Sequence, residues 1–241
     1  MSDRRRPRVF TGESLTLGAV LVGSFILKLH HLAHATLTEA DESVHATVAR
    51  NLVRHPLMPT LIDKAYLPDH WWDWAHSHIF LHKPIVPLWQ IAFSFWTLGF
   101  GMFALRFPSV LLSTAAAALT YLIGAELLDR KSALVAAALQ AFSPALMLEV
   151  QGYLFADHVD IALLFWTELS VYFLVRSMRH GRRWEMAACG IAQGLAFLCK
   201  SYPALIVTGL ALTVYTLPRL KLSRPSQSRL RWTHLLVFQA L

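Results

Sequence analysis

The sequence predicts an all-α fold: a polytopic transmembrane helical bundle of about six spans plus a truncated seventh, with interfacial amphipathic helices in the first outer loop. Three observations carry this expectation. Residues of the set AVILMFWYC make up 55% of the 241 and charged residues only 15%, against about 45 to 50% and about 25% in soluble domains. Apolar runs recur at membrane-crossing length, about 20 residues for a hydrocarbon core of about 30 Å. The basic residues gather in short clusters between those runs. The same composition excludes disorder, which requires low hydrophobicity and high charge. Two cysteines exclude a disulfide scaffold and a four-cysteine zinc module. The net charge of +7 does not indicate nucleic acid, because no basic face with reading elements is formed.

In chain order, the candidate spans are residues 14–33, 104–127, 132–151, 159–175, 185–199 and 201–218, so five spans follow the first within 104–218. A basic loop at 219–232 precedes the start of a seventh at 233–241, all in one membrane domain of residues 1–241. Residues 85–103 (IVPLWQIAFSFWTLGFGMF) are ambiguous, being short, bordered by Pro84 and Pro87, and interrupted by Trp89, Gln90, Ser94 and Trp96. Cytoplasmic loops collect Lys and Arg. If this segment lies along the interface, the clusters at Arg4 to Arg8, Arg130 and Lys131, Arg176 to Arg183 and Arg219 to Arg231 all face the cytoplasm, with fifteen of the 22 basic residues. Residues 85–103 are therefore read as an interfacial helix, its aromatics at headgroup level, within an extracytoplasmic loop of residues 34–103. The N-terminus is then cytoplasmic and the first span an uncleaved anchor, its apolar run being longer than that of a secretory signal. Lys28, near the outer end of that span, reads as a snorkelling side chain.

In this orientation the ionisable residues converge on the outer face. The first loop holds Glu39, Asp41, Glu42, Asp63, Asp69, Asp73 and seven of the twelve histidines, and later segments add Glu149, Asp157, His158, Asp160 and Lys200. Charges held against a bilayer are costly and mark candidate sites. Asp41-Glu42 opens DESVHATVARNLVRHP, where Val44, Val48 and Leu52 share one helical face opposed by His45, Arg50, Asn51 and Arg54, and Pro56 ends the run. The pattern is that of an amphipathic helix on the membrane. Asp41 is then either a plain helix cap or a functional acid. Lys83, in His82-Lys83-Pro84, and Lys200, in CKSYP, are each either snorkelling cations or clamps for a phosphate.

Other signals are weaker. His76, His78 and His82 cannot all lie on one face of a regular element, and no zinc spacing is matched, so divalent-metal binding stands as the alternative to the plain reading of a solvated loop. Gly99 to Ala104 fits G-x-G-x-x-A without the strand or acid that a dinucleotide site needs. Gly190 and Gly194 form GxxxG for close helix packing, and Cys189 and Cys199 read as small buried residues.

Taken in order, the Asp-Glu helix, HKPIVPLW, FALRFPSVLL, SPALMLEVQGYLFADHVD and LAFLCKSYPAL resemble the N-terminal half of integral-membrane glycosyltransferases of family 39, the protein mannosyltransferase and aminoarabinose transferase group. The resemblance implies an inverting transfer of a sugar from a polyprenyl-phosphate donor to a lipid, glycan or protein acceptor outside the cell's inner membrane. It makes Asp41 the catalytic carboxylate, Glu42 its support and Asp157 a second acid. Lys83 becomes the lipid-phosphate ligand, with Lys200, Arg50 and Asp160 as further substrate-binding candidates. His82 stands where many relatives carry Glu, and is the candidate metal ligand. The alternative is a transporter or lipid-binding scaffold that uses the same residues without chemistry. Transporters place charges at the midplane and show internal repeats, whereas these acids cluster at one face.

Overall fold

A computed structural model describes residues 12–30, 32–33, 36–37, 41–63, 66, 68–70, 72–73, 77–153 and 158–216. They form α1 (Gly12–Leu29), α2 (Asp41–Leu52), α3 (Ile85–Leu98), α4 (Met102–Leu127), α5 (Arg130–Ala141), α6 (Pro144–Val150), α7 (His158–His180), α8 (Arg183–Lys200), a 3-10 turn at Tyr202–Leu205 and α9 (Ile206–Thr216). Among the described residues the only extended pairing is an isolated antiparallel bridge between Thr60 and Ile79. The basic loop and seventh span expected at 219–241 lie outside the described residues.

Three helices, α1, α4 and α7, are long and apolar enough to cross a membrane, and α5 with α6 makes a fourth if that pair, bent by 43°, is one span. The chain is thus an integral membrane protein in which three to four of the described helices meet the length and apolarity of a crossing. The expected span at 132–151 is broken because Pro144 is the first residue of α6. Its ring removes an N–H and forces the preceding residue out of helical geometry. The described parts of the segments expected to span at 185–199 and 201–218 are helical, α8 carrying Glu185, Gln193 and Lys200 and α9 following the 3-10 turn through Thr216.

α4 and α5 meet across a tight turn. Asp129 caps α5, its Oδ1 accepting from the amides of Lys131 (2.9 Å) and Ser132 (3.1 Å) and its Oδ2 from the Ser132 hydroxyl (2.6 Å). The Ser132 hydroxyl, with those amides, holds this carboxyl below its usual range. The two helices touch at Gly124, where an added Cβ would lie 2.9 Å from the Ala133 Cα.

Two expectations fail in the packing. The apolar face of α2 meets protein: Val48, Ala49 and Leu52 are buried with Phe80, Leu88, Ile91 and Phe95. On its expected polar face His45 and Asn51 are also buried, the Asn51 amide donating to Thr60 O at 2.8 Å. Lys28 does not snorkel. It is 0% exposed, and its Nζ has no hydrogen-bond partner among the described residues. The reason lies one turn away, where the Ser24 hydroxyl donates to Ala141 O at 2.7 Å and turns this face of α1 inward.

Candidate functional site

Asp41 is the first residue of α2, where the helix dipole favours an acid. Lys83 immediately precedes Pro84, whose extended backbone (φ −63°, ψ 157°) caps α3. The Lys83 ammonium donates to Asp41 Oδ2 at 3.2 Å. The Asp41 side chain is 52% exposed and that of Lys83 18%, so the pair is open on the acid's side.

The next residue along α2 turns about 100° around the helix and faces inward. Glu42 receives two hydrogen bonds from Arg106 of α4, Nε to Oε1 at 2.6 Å and Nη2 to Oε2 at 2.8 Å. Two further N–H groups donate to backbone oxygens, Nη1 to Gln151 O at 3.0 Å and Nη2 to Thr36 O at 2.9 Å. Such two-pronged geometry, with four of the five N–H groups bonded, is what makes a buried ion pair tolerable. Gly152 completes the cradle: it has φ +80°, and a Cβ there would collide with the Arg106 guanidinium.

Behind this pair lies a cavity of about 20 Å³ lined by Glu42, His45, Arg106, Ser109, Glu149 and His158, among others. That is room for about one water. On its wall His158, the first residue of α7, pairs Nδ1 with Ser109 Oγ at 2.7 Å and Nε2 with Gln90 Oε1 at 2.8 Å.

A second acid–lysine pair joins α7 to the end of α8, where Lys200 Nζ donates to Asp160 Oδ1 at 2.5 Å. The structure therefore brings Asp41 to Lys83, and Asp160 to Lys200. Arg50 stands exposed in the last turn of α2, apart from both pairs. His82 is exposed, its ring edge-on to Phe80 with centroids 6.1 Å apart. No group of three or more His, Cys, Asp or Glu arranged for a metal occurs among the described residues. Asp157, Glu39 and His76 lie outside the described residues. Sequence reasoning missed Arg106, Gln90, Ser109 and Gly152. A signal existed for the first, since an arginine inside the apolar run FALRFPSVLL demands a partner.

Comparison with known proteins identifies the fold and the family. Undecaprenyl phosphate-alpha-4-amino-4-deoxy-L-arabinose arabinosyl transferase from Pseudomonas paraeruginosa is 28% identical over 177 residues, covering 70% of this chain and 30% of that protein. The protein of the same description from Yersinia pestis is 25% identical over 203 residues, covering 80% and 33%. The crystal structure of ArnT from Cupriavidus metallidurans in the apo state superposes with a TM-score of 0.68 at 17% identity, covering 95% of this chain and 41% of that one. The same protein bound to undecaprenyl phosphate gives 0.66 at 17% identity, covering 93% and 39%. The chain thus shares that membrane fold and spans about a third of the length of the curated relatives it matches. The family profile described as dolichyl-phosphate-mannose-protein mannosyltransferase matches residues 82–241, and the chain belongs to that family.

Proposed function

We propose that this chain carries part of the reaction centre of a membrane glycosyltransferase, which moves a sugar from a polyprenyl-phosphate donor to a hydroxyl or phosphate of a lipid, glycan or protein acceptor. The observation that carries the reading is the Asp41–Lys83 pair, a half-exposed carboxylate 3.2 Å from a lysine ammonium. The Asp41 carboxylate takes the proton of an acceptor hydroxyl, or orients an acceptor phosphate, as the acceptor oxygen attacks the anomeric carbon from the face opposite the leaving group. The bond from that carbon to the phosphate oxygen breaks, and the polyprenyl phosphate leaves with the electron pair. Lys83 offsets the charge that gathers on the phosphate. Glu42 acts through Arg106, which pins the first turn of α2 and so aims Asp41. Asp157 is the second acid, and Lys200, paired with Asp160, is a second cation for an anionic substrate.

The centre faces the extracytoplasmic side of the inner membrane, with the N-terminus cytoplasmic. In support, fifteen of the 22 basic residues fall in clusters assigned to one side. With α3 along the interface, its exposed Trp89, Phe93 and Trp96 sit at the headgroups; at 14 residues and about 1.5 Å each, this helix is shorter than the hydrocarbon core.

The test is binding of undecaprenyl phosphate to the complete protein in nanodiscs. Lys83→Met should weaken it about 10- to 100-fold, the weight of one charged hydrogen bond, with Lys83→Arg intermediate. Unchanged affinity in Lys83→Met removes the lysine from the phosphate site.

A further inference from the structure

Lys83 and Arg106, the two cations facing Asp41 and Glu42, sit on different elements. Lys83 lies just before α3, and Arg106 lies in the first turns of α4. Catalysis by fixed charges depends on holding such groups to within a fraction of an ångström, so whatever locks α3 against α4 sets the geometry of the site. The chain between them contains Gly99 at φ +83°, with nothing within 4 Å of an added Cβ. Next to that turn the helices are tied where the Ser94 hydroxyl of α3 donates to Ala104 O of α4 at 2.6 Å, a contact ten or more residues from Lys83.

A third helix adds a second tie, nearer the cations. Gln90 is seven residues beyond Lys83, on α3, and Ser109 is three beyond Arg106, on the same face of α4. The imidazole of His158 reaches both, at 2.8 and 2.7 Å. Its protonation pattern follows from its partners. Gln90 Oε1 only accepts, so Nε2 carries the hydrogen, and in the neutral ring Nδ1 then accepts from the Ser109 hydroxyl. Both ring nitrogens are used, Ser109 and His158 are buried, and the ring walls the cavity that also holds Glu42 and Arg106. A buried neutral imidazole has one donor and one acceptor to satisfy, and both could be met within one neighbouring element. This one makes a directional bond to each of the two helices that position the cations.

We propose that His158 is a positioning residue for the transfer reaction: it fixes the register of α3 against α4 and thereby the placement of Lys83 relative to the Glu42–Arg106 pair. The proposal rests on the glycosyltransferase reading, and its test separates the two.

In the complete membrane-embedded protein, spin labels at Phe93→Cys on α3 and Leu111→Cys on α4, both exposed positions, report the helix register without any chemistry. His158→Leu should broaden that distance distribution, and His158→Gln, which keeps a donor toward Gln90, should restore most of it. With a polyprenyl-phosphate sugar as donor, His158→Leu should lower kcat roughly 10- to 100-fold, with KM changed less than about threefold. Gln90→Leu should add little on top of His158→Leu. A leucine variant with wild-type distances and wild-type kcat overturns the proposal, as does an equal loss in the leucine and glutamine variants. A wild-type protein that shows the His158-dependent register yet transfers no sugar from any such donor overturns the proposed function and leaves the helix lock standing.

Discussion

Glu42 and Arg106, 64 positions apart in the chain, face each other through two hydrogen bonds of 2.6 and 2.8 Å, with side chains only 5% and 3% exposed. Removing one partner strands the other as a buried, uncompensated charge, which costs about 3–5 kcal/mol. Arg106→Met and Glu42→Leu should each lose that much in unfolding assays in detergent, and the double variant should lose less than the sum. Arg106→Lys should not restore the pair, because an ammonium cannot reproduce the fork. Additive losses would show that the two residues do not act as one unit.

Gly152 and Gly99 share a positive φ, but only Gly152 is crowded, by the Arg106 guanidinium. Alanine at either position carries backbone strain of about 1–3 kcal/mol. Gly152→Ala should cost clearly more and should also lower any activity that depends on α2, because the guanidinium must move. Equal destabilisation of the two variants, measured side by side, would contradict the cradle.

A similar contrast applies inside the membrane. Gly124→Ala drives a Cβ to 2.9 Å from the Ala133 backbone and should destabilise by about 1–3 kcal/mol. Gly209→Ala, on α9 with open space around it, should be neutral or stabilising by up to about 1 kcal/mol.

The Asp129 cap has a defined pH dependence. Its carboxyl is held below its ordinary value of 3.8, so its contribution is complete above that value and fades as pH falls through the lower, folded one. Hydrogen-exchange protection of the Lys131 and Ser132 amides, corrected for intrinsic rates, should drop in acid below about pH 4. In Asp129→Asn that drop should disappear.

Much of the site was legible as composition and position, and little of it as pairing. Asp41, Glu42, Lys83, Asp160 and Lys200 stand out because charges beside apolar runs are expensive. Which acid meets which lysine is decided by tertiary distances over 42 and 40 residues, which no local pattern encodes. The α2 periodicity identified the helix but not its covering, since an apolar stripe looks the same whether lipid or α3 lies against it. Lys28 was misread for the same reason: snorkelling is the default for a lysine near a span's end, and only the Ser24 contact with Ala141 O turns its face inward. The bend before Pro144 was written in the sequence, but the apolar run on both sides masked it.

Orientation is tested by labelling single cysteines from outside intact cells. Phe100→Cys, beyond the end of α3, should react with an impermeant maleimide, and Arg182→Cys, between α7 and α8, should not. The reverse pattern would make α3 a crossing rather than an interfacial helix and overturn the proposed topology.

The proposed transfer depends on the Asp41 carboxylate. The most direct measurement is the rate of sugar transfer from a polyprenyl-phosphate donor by the complete protein carrying Asp41→Asn, a change that keeps shape and removes the charge. If this carboxylate is the group that activates the acceptor, turnover should fall about 10²- to 10⁴-fold with donor binding little changed. Transfer at the wild-type rate would contradict it.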